Sequence, residues 1–290
     1  MTETSGAEFG REAGAGLADD ELPAYAPMLA AFHRACAADL RGIVAALPLR
    51  PGDRVLDMAC GDGTYSAWLA ERVGPDGRVT GVDLSPAYLR VARERADGGQ
   101  RGRIEFKQGD IARLPFADGS FDLAWCAHSL YSLPDPLAAL RELARVIRPG
   151  GSVAILENDT LHHHMLPWPA ELELAVRSAQ LAALEESNQA TGKFYIGRNL
   201  CGAFEQAGLS ECAVTSFSVD HRAPLSDDER TFLGDYLRDL GQRARPHLDA
   251  AARTAFDLLI DPESELYLLD RPDFFSSHLE LLGIGRVASG

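Results

Sequence analysis

A chain of 290 residues stands at the upper edge of what one hydrophobic core supports, so one domain with embellishments is expected. Its hydrophobic share of 46% and charged share of 24% are ordinary for a soluble globular protein, and no apolar run approaches the roughly 20 residues that span a bilayer. The formal net charge of −15 disfavours a nucleic-acid backbone as partner, because phosphate binding needs a basic face.

The chain opens on MTETSGAEFGREAGAGLADDE, which has neither a basic n-region nor an apolar h-region, so a signal peptide is not expected. This stretch is small, polar and acidic, and predicts a mobile tail over residues 1–22 ahead of a single domain over 23–290. From Tyr25 to Leu47 the sequence is rich in alanine and leucine at helical spacing, and Pro48 ends it.

Short apolar runs then alternate with amphipathic segments. The runs are RVLDMA, GRVTGVDL, RIEFKQGD, FDLAWCAHS and GSVAILEN; between them lie TYSAWLAERV, PAYLRVARERA and PLAALRELARVI. Such alternation predicts βαβ units and a parallel sheet covered on both faces. After Asn158 the pattern changes to a helix from about Ala170 to Asn188, a helix around Gly197–Ala207, a strand around Cys212–Val219, and two helices between Ser226 and Ile260. The final run FFSSHLELLGIGRV reads as an edge strand. The expected fold is α/β: a doubly wound, Rossmann-like, seven-stranded and mostly parallel sheet with an antiparallel last strand. Helical lid insertions are expected near 160–197 and 225–262.

Five cysteines, odd in number and without a CxxC pair, predict neither disulfides nor a zinc site, and suit a cytoplasmic protein. The triple histidine His162–His164 lies near Glu157 and Asp159. Adjacent loop residues rarely aim three imidazoles at one ion, so no metal is expected.

The first run ends in VLDMACGDGTYS. A dinucleotide fingerprint would be GxGxxG, but after Gly61 and Gly63 the third place is Ser66. The pattern present is DxxxGxG, from Asp57 to Gly63. A carboxylate beside the turn repels a pyrophosphate and suits a cationic ligand such as a sulfonium. The glycines let the backbone approach the ligand, and the helix beyond them can host its carboxylate. Asp83, closing the next strand, can accept hydrogen bonds from ribose hydroxyls, and Asp110 after the third strand can accept from an adenine amino group. Asp57 and Asp83 could each simply cap the helix that follows. Their spacing with Asp110, at three consecutive strand ends, favours S-adenosylmethionine as the cofactor and S-adenosylhomocysteine as the product.

VLDMACGDG, VTGVDLSPAYLRVAR, FKQGDIARLPFADGSFDLAWC and ALRELARVIRPGG resemble successive motifs of the class I S-adenosylmethionine-dependent methyltransferases. They are most similar to the group holding the ubiquinone and menaquinone C-methyltransferases and many natural-product methyltransferases. The resemblance is strong over roughly residues 50–158 and covers the rest in outline. It implies cofactor contacts at Asp57, Ala59, Gly61, Asp83, Leu84, Asp110, Ile111 and Cys126. Apart from the resemblance, Tyr25 and Phe32 on the first helix could close over the cofactor, and Tyr131 is a further candidate contact. Ala59 departs from the family, which usually has glycine there. Alanine is tolerated at such a place unless it needs positive φ.

Methyl transfer from a sulfonium is an in-line displacement on an activated carbon, so alignment and water exclusion can suffice. Groups able to take a proton near the strand ends are His128, His162 and His163, with Glu157 and His164 close in sequence. His128 could instead be a strand-end residue bonded to backbone. Lid aromatics Trp168, Phe194, Tyr195, Phe232, Tyr236 and Tyr267 suit an apolar acceptor, and Arg198 suits either an acceptor anion or a surface salt bridge.

The expectation is a methyltransferase of a small organic acceptor, with no nucleic-acid or membrane partner and a homodimer left open. Two alternatives share the sequence: an enzyme using the same cofactor for decarboxylation or cyclisation, and a non-catalytic scaffold subunit.

Overall fold

A computed structural model describes residues 21–97, 103–159, 164–186 and 196–289. The expected tail over 1–22 falls almost wholly outside them, as do His162, His163, Phe194 and Tyr195.

The chain enters through α1 (Ala26–Ala35) and α2 (Ala37–Ala45), which break at Cys36 where one continuous helical stretch was expected. The central alternation then follows: β1 (Arg54–Met58), α3 (Thr64–Val73), β2 (Arg78–Asp83), α4 (Pro86–Asp97), β3 (Ile104–Gln108), β4 (Phe121–Ala127), α5 (Pro136–Val146) and β5 (Ile147–Glu157). Asp135 caps α5 by accepting the Ala138 N–H at 2.9 Å, with Pro136 in the first turn. Beyond lie β6 (His164–Met165), α6 (Ala170–Glu186), α7 (Leu200–Gln206), β7 (Ser210–Arg222), α8 (Asp227–Ala244), α9 (Ala250–Ile260) and β8 (Phe275–Arg286). A capping box between Ser226 and Glu229 opens α8.

The sheet runs β3-β2-β1-β4-β5 in parallel, then β8 antiparallel to β5, with β7 on the far edge of β8. The two-residue β6 pairs β8 at His278 and Ser277, past the end of β5, and makes an eighth strand beside the expected seven. The last run is therefore not an edge strand. It lies between β5 and β7, and β7 is longer than the expected Cys212–Val219 because it pairs β8 from Ser210 to Arg222.

One face of the sheet packs α1, α2, α3, α8 and α9 around Trp125, Leu156, Phe232, Leu240 and Phe256. The other packs α5 and α7 around Leu56, Cys126, Leu140, Ile155 and Phe204. This sandwich leaves the carboxyl ends of β1, β2, β4 and β5 side by side beneath α1, α6 and α8. In doubly wound sheets that is where ligands bind.

Candidate active site

The turn after β1 is built on left-handed backbone: Ala59 has φ 53°, Gly61 51° and Gly63 75°. Gly63 is needed there, because a Cβ would stand 3.0 Å from both Ala92 Cβ and Phe106 Cζ. In front of Gly61 the space is open, with no atom within 4 Å of where a Cβ would sit. Ala59 occupies the position where the family usually has glycine, and it carries the positive φ that makes alanine strained.

Asp83, at the end of β2, reaches across to this turn. Its Oδ2 accepts the Gly61 N–H at 2.9 Å and its Oδ1 accepts the Ser85 N–H at 2.8 Å. Burial raises its pKa, and the N–H groups of Ser85, Gly61 and Leu84 only partly offset this. Next to it Leu84 is 45% exposed, an apolar side chain offered to solvent at the rim. Asp110 is also exposed and turns back to accept the Ala112 N–H at 2.8 Å, while Ile111 is buried behind it.

Asp57 faces inward. Its carboxylate accepts the Ser66 hydroxyl at 2.5 Å, so the residue that breaks the dinucleotide fingerprint is Asp57's partner. Burial pushes Asp57 up to about 7 against that hydrogen bond, with Asp83 and Asp62 adding to the rise. Cys126 lies in the core under the turn with its thiol fully covered, so only its backbone is available to a ligand.

Two residues that sequence reasoning passed over, Asp62 and His33, join the expected Tyr25, Tyr131 and Arg198 around the site. Asp62, inside the turn, is bonded by Arg95 Nη2 at 2.7 Å and lies 3.7 Å from His33 Nδ1 of α1. Burial would raise Asp62, but His33 and Arg95 hold it well below the usual carboxylate range. Tyr25, at the start of α1, lies beside Tyr88 and Asp83, and Tyr131 packs with Leu181 and Leu184 of α6. Arg198 donates to Asp159 at 2.5 Å, the salt-bridge alternative.

His128 follows β4 with φ 50°, its N–H bound to the Leu156 carbonyl at 2.8 Å. Its Nε2 meets Glu280 Oε2 of β8 at 2.7 Å. Glu280 is fully buried, and its Oε1 stands 3.5 Å from His278 Nε2. Burial would lower the His128 imidazole, but the charge and hydrogen bond of Glu280, with Glu157, raise it. Glu280 itself is held well below the usual range by His128 and His278 despite its burial.

Glu157, at the end of β5, accepts the N–H groups of Leu130 and Tyr131 at 2.6 and 3.3 Å, and burial pushes it up to about 7. His164 packs against Tyr236 at 4.1 Å and His278 at 4.6 Å between ring centroids. Among the described residues no group of three or more His, Cys, Asp or Glu side chains is arranged to hold a metal ion.

The sequence over residues 56–155 matches the family described as Methyltransferase domain. A demethylmenaquinone methyltransferase of Listeria welshimeri is 38% identical over 120 residues, covering 41% of this chain and 50% of that protein. One from Lactobacillus johnsonii is 32% identical over 181 residues, covering 60% of this chain and 74% of that protein. The chain thus spans about half the length of the first relative and about three quarters of the second. A solved structure of a candidate methyltransferase from Bacillus halodurans covers 87% of this chain and 99% of its own, with TM-score 0.55 and 20% identity, a likeness of fold. The fold and the strand-end turn define the Rossmann-like class. Within it, this chain belongs to the S-adenosylmethionine-dependent methyltransferases of the quinone-methyltransferase type.

Proposed function

We propose that this protein transfers a methyl group from S-adenosylmethionine to a small, largely apolar organic acceptor with a quinone-like ring. One observation carries the reading: Asp83, half of a carboxylate clasp on Gly61, stands beside exposed Leu84 and the open space before the glycine turn. That set fits the cofactor. Asp83 would accept from ribose hydroxyls, Leu84 and Ile111 would flank the base, and Asp110 would accept from its amino group. The backbone at Ala59 and Gly61 would meet the methionine part, with Asp57 beneath it, Cys126 contributing backbone, and Tyr25 and Tyr131 closing from above.

When bound, S-adenosylmethionine supplies a methyl group already activated on a sulfonium. What the chain must add is alignment, exclusion of water and a place for the acceptor's proton. His128 serves that last need. Glu280 can only accept, so Nε2 carries the hydrogen between them, and Nδ1 is left to take a proton. His162 and His163 lie outside the described residues and enter the acceptor side of this proposal on the sequence alone.

The names of the relatives suggest demethylmenaquinone as the first acceptor to try. Among the described residues no helix is long and apolar enough to cross a membrane, which suits work in the cytoplasm. The test is calorimetry with S-adenosylmethionine and S-adenosylhomocysteine, followed by mass spectrometry of the reduced form of demethylmenaquinone after incubation. Binding of both compounds and gain of one methyl group are expected. Binding of neither would end the reading. Binding with no methyl gained and the cofactor unconsumed would end its transfer half.

A further inference from the structure

On β8 the side-chain alternation is inverted. Leu279 is 47% exposed, while His278 and Glu280 on either side are buried. Glu280 alternates with Leu282 on the buried side of β8, within electrostatic reach of Cys36 and Tyr65, where a leucine would carry no desolvation cost. Replacing a buried ion pair by apolar groups is often neutral or stabilising, so stability gives no account of a carboxylate at this place. What the carboxylate does is local and directional. It fixes one nitrogen of the one histidine that leaves β4 on strained, left-handed backbone at the open end of the sheet. A second imidazole, His278, stands 3.5 Å from its other oxygen.

Resting on the function proposed above, we propose that Glu280 is the positioning residue of methyl transfer, holding His128 with Nδ1 turned to the acceptor, and that the acceptor therefore reacts through an atom bearing a proton of phenol or enol acidity. The step balances without a further reagent. The acceptor's O–H bond breaks and its proton goes to His128 Nδ1. The electron pair released bonds the methyl carbon, directly through oxygen or through the conjugated ring carbon, while the carbon–sulfur bond breaks and its pair stays on sulfur. Where ring carbon is methylated, the hydrogen on that carbon leaves as a proton to water, and His128 returns its proton to the oxygen, restoring the phenol. The imidazolium formed on His128 is neutralised by Glu280 at 2.7 Å, as in other histidine–carboxylate pairs. An acceptor without such a proton, such as a tertiary amine or a thioether, gains nothing from this arrangement.

The groups facing the pair are Glu157 of β5, Tyr65 of α3, Phe32 of α1, His278 of β8, and Cys36 between α1 and α2. Of these, Glu157 joins Glu280 in favouring the charged imidazole. Removing the Glu280 charge leaves burial to win, and the His128 titration moves to lower pH.

The test pairs Glu280→Gln with Glu280→Asp. The His128 ring is followed by NMR titration, its signal identified by its loss in His128→Gln. In the wild type His128 should titrate above about 6.5, the ordinary imidazole value. In Glu280→Gln it should titrate below that. With reduced demethylmenaquinone as acceptor probe, kcat should fall on the order of 100-fold with KM for S-adenosylmethionine unchanged. The acid limb of the pH profile should shift with the histidine, and Glu280→Asp should recover part of both. A wild-type His128 titrating at or below the ordinary value overturns the proposal even if neither variant folds. So does a Glu280→Gln enzyme with unchanged limb and kcat. Either result leaves cofactor binding by calorimetry untouched, and so leaves the methyltransferase reading standing.

Discussion

The carboxylate of Asp83 and the backbone N–H of Gly61 are joined at 2.9 Å, so the end of β2 and the glycine turn after β1 are one rigid unit. Asp83→Ala removes a buried acceptor from two N–H groups and from the proposed ribose contact at once. Affinity for S-adenosylmethionine should drop by about 10–100-fold, the worth of a charged hydrogen bond. Calorimetry reads it, and a change under about threefold would detach Asp83 from the ligand.

Ala59 carries a φ of 53°. The left-handed region costs a residue with a Cβ about 1–2 kcal/mol, against the extra unfolded-state entropy that glycine brings. Ala59→Gly should therefore stabilise the protein by about 0.5–1 kcal/mol, seen as a higher urea midpoint at unchanged slope. A lower midpoint would mean that the alanine methyl packs favourably enough to outweigh its strain.

Asp57 and Glu157 are each pushed up to about 7 by burial. Unfolded, both titrate near 4, so between about pH 4 and 7 the folded state holds protons that the unfolded state has lost. Their contribution is present below that window and disappears as the pH rises through it. Asp62 and Glu280, held low by their partners, lose theirs only in stronger acid. The melting temperature of the ligand-free protein should fall between about pH 4.5 and about 7 and level off above that. A cationic sulfonium offsets the charge on Asp57, so stabilisation by S-adenosylmethionine should grow over that range more than stabilisation by S-adenosylhomocysteine. Equal growth for the two would remove Asp57 from the sulfonium's surroundings.

Gly283, where β8 passes under α7, leaves no room for a side chain. A Cβ there would meet Leu200 Cδ1 at 2.9 Å and Phe204 Cε2 at 3.1 Å. Gly283→Val should cost about 1–3 kcal/mol by overpacking, measured by denaturant unfolding. Cofactor affinity should be unaffected, since α7 lies on the face away from α1 and α8.

The parallel half of the fold was legible because each element carries its own punctuation. Short, nearly continuous apolar runs alternate with amphipathic segments, and α4 and α5 open on Pro86 and on the Asp135–Pro136 cap. The residues proposed for the cofactor side follow from strand ends, which sequence spacing fixes. Glu280 was not legible. In SHLELL an alternating reading turns leucine inward and glutamate outward, and the true register is the opposite because His278 and Glu280 meet partners from β4 and β6, far away in the chain. The one trace was polar residues spaced by two within an apolar strand. The same long-range pairing, with β5 on one edge and β7 on the other, is why β8 read as an edge when it is interior.

Contacts close in sequence form early, and those between distant segments wait for the loop-closure entropy to be met. The Asp83–Gly61 clasp closes within one β-α-β unit, whereas His128 and Glu280 are 152 residues apart and depend on β8 threading between β5 and β7. In refolding followed by pulsed hydrogen exchange, the amide of Gly61 should become protected before those of β8. A chain arrested between the two stages would hold the proposed donor side complete while the proposed proton acceptor still lacked its carboxylate partner.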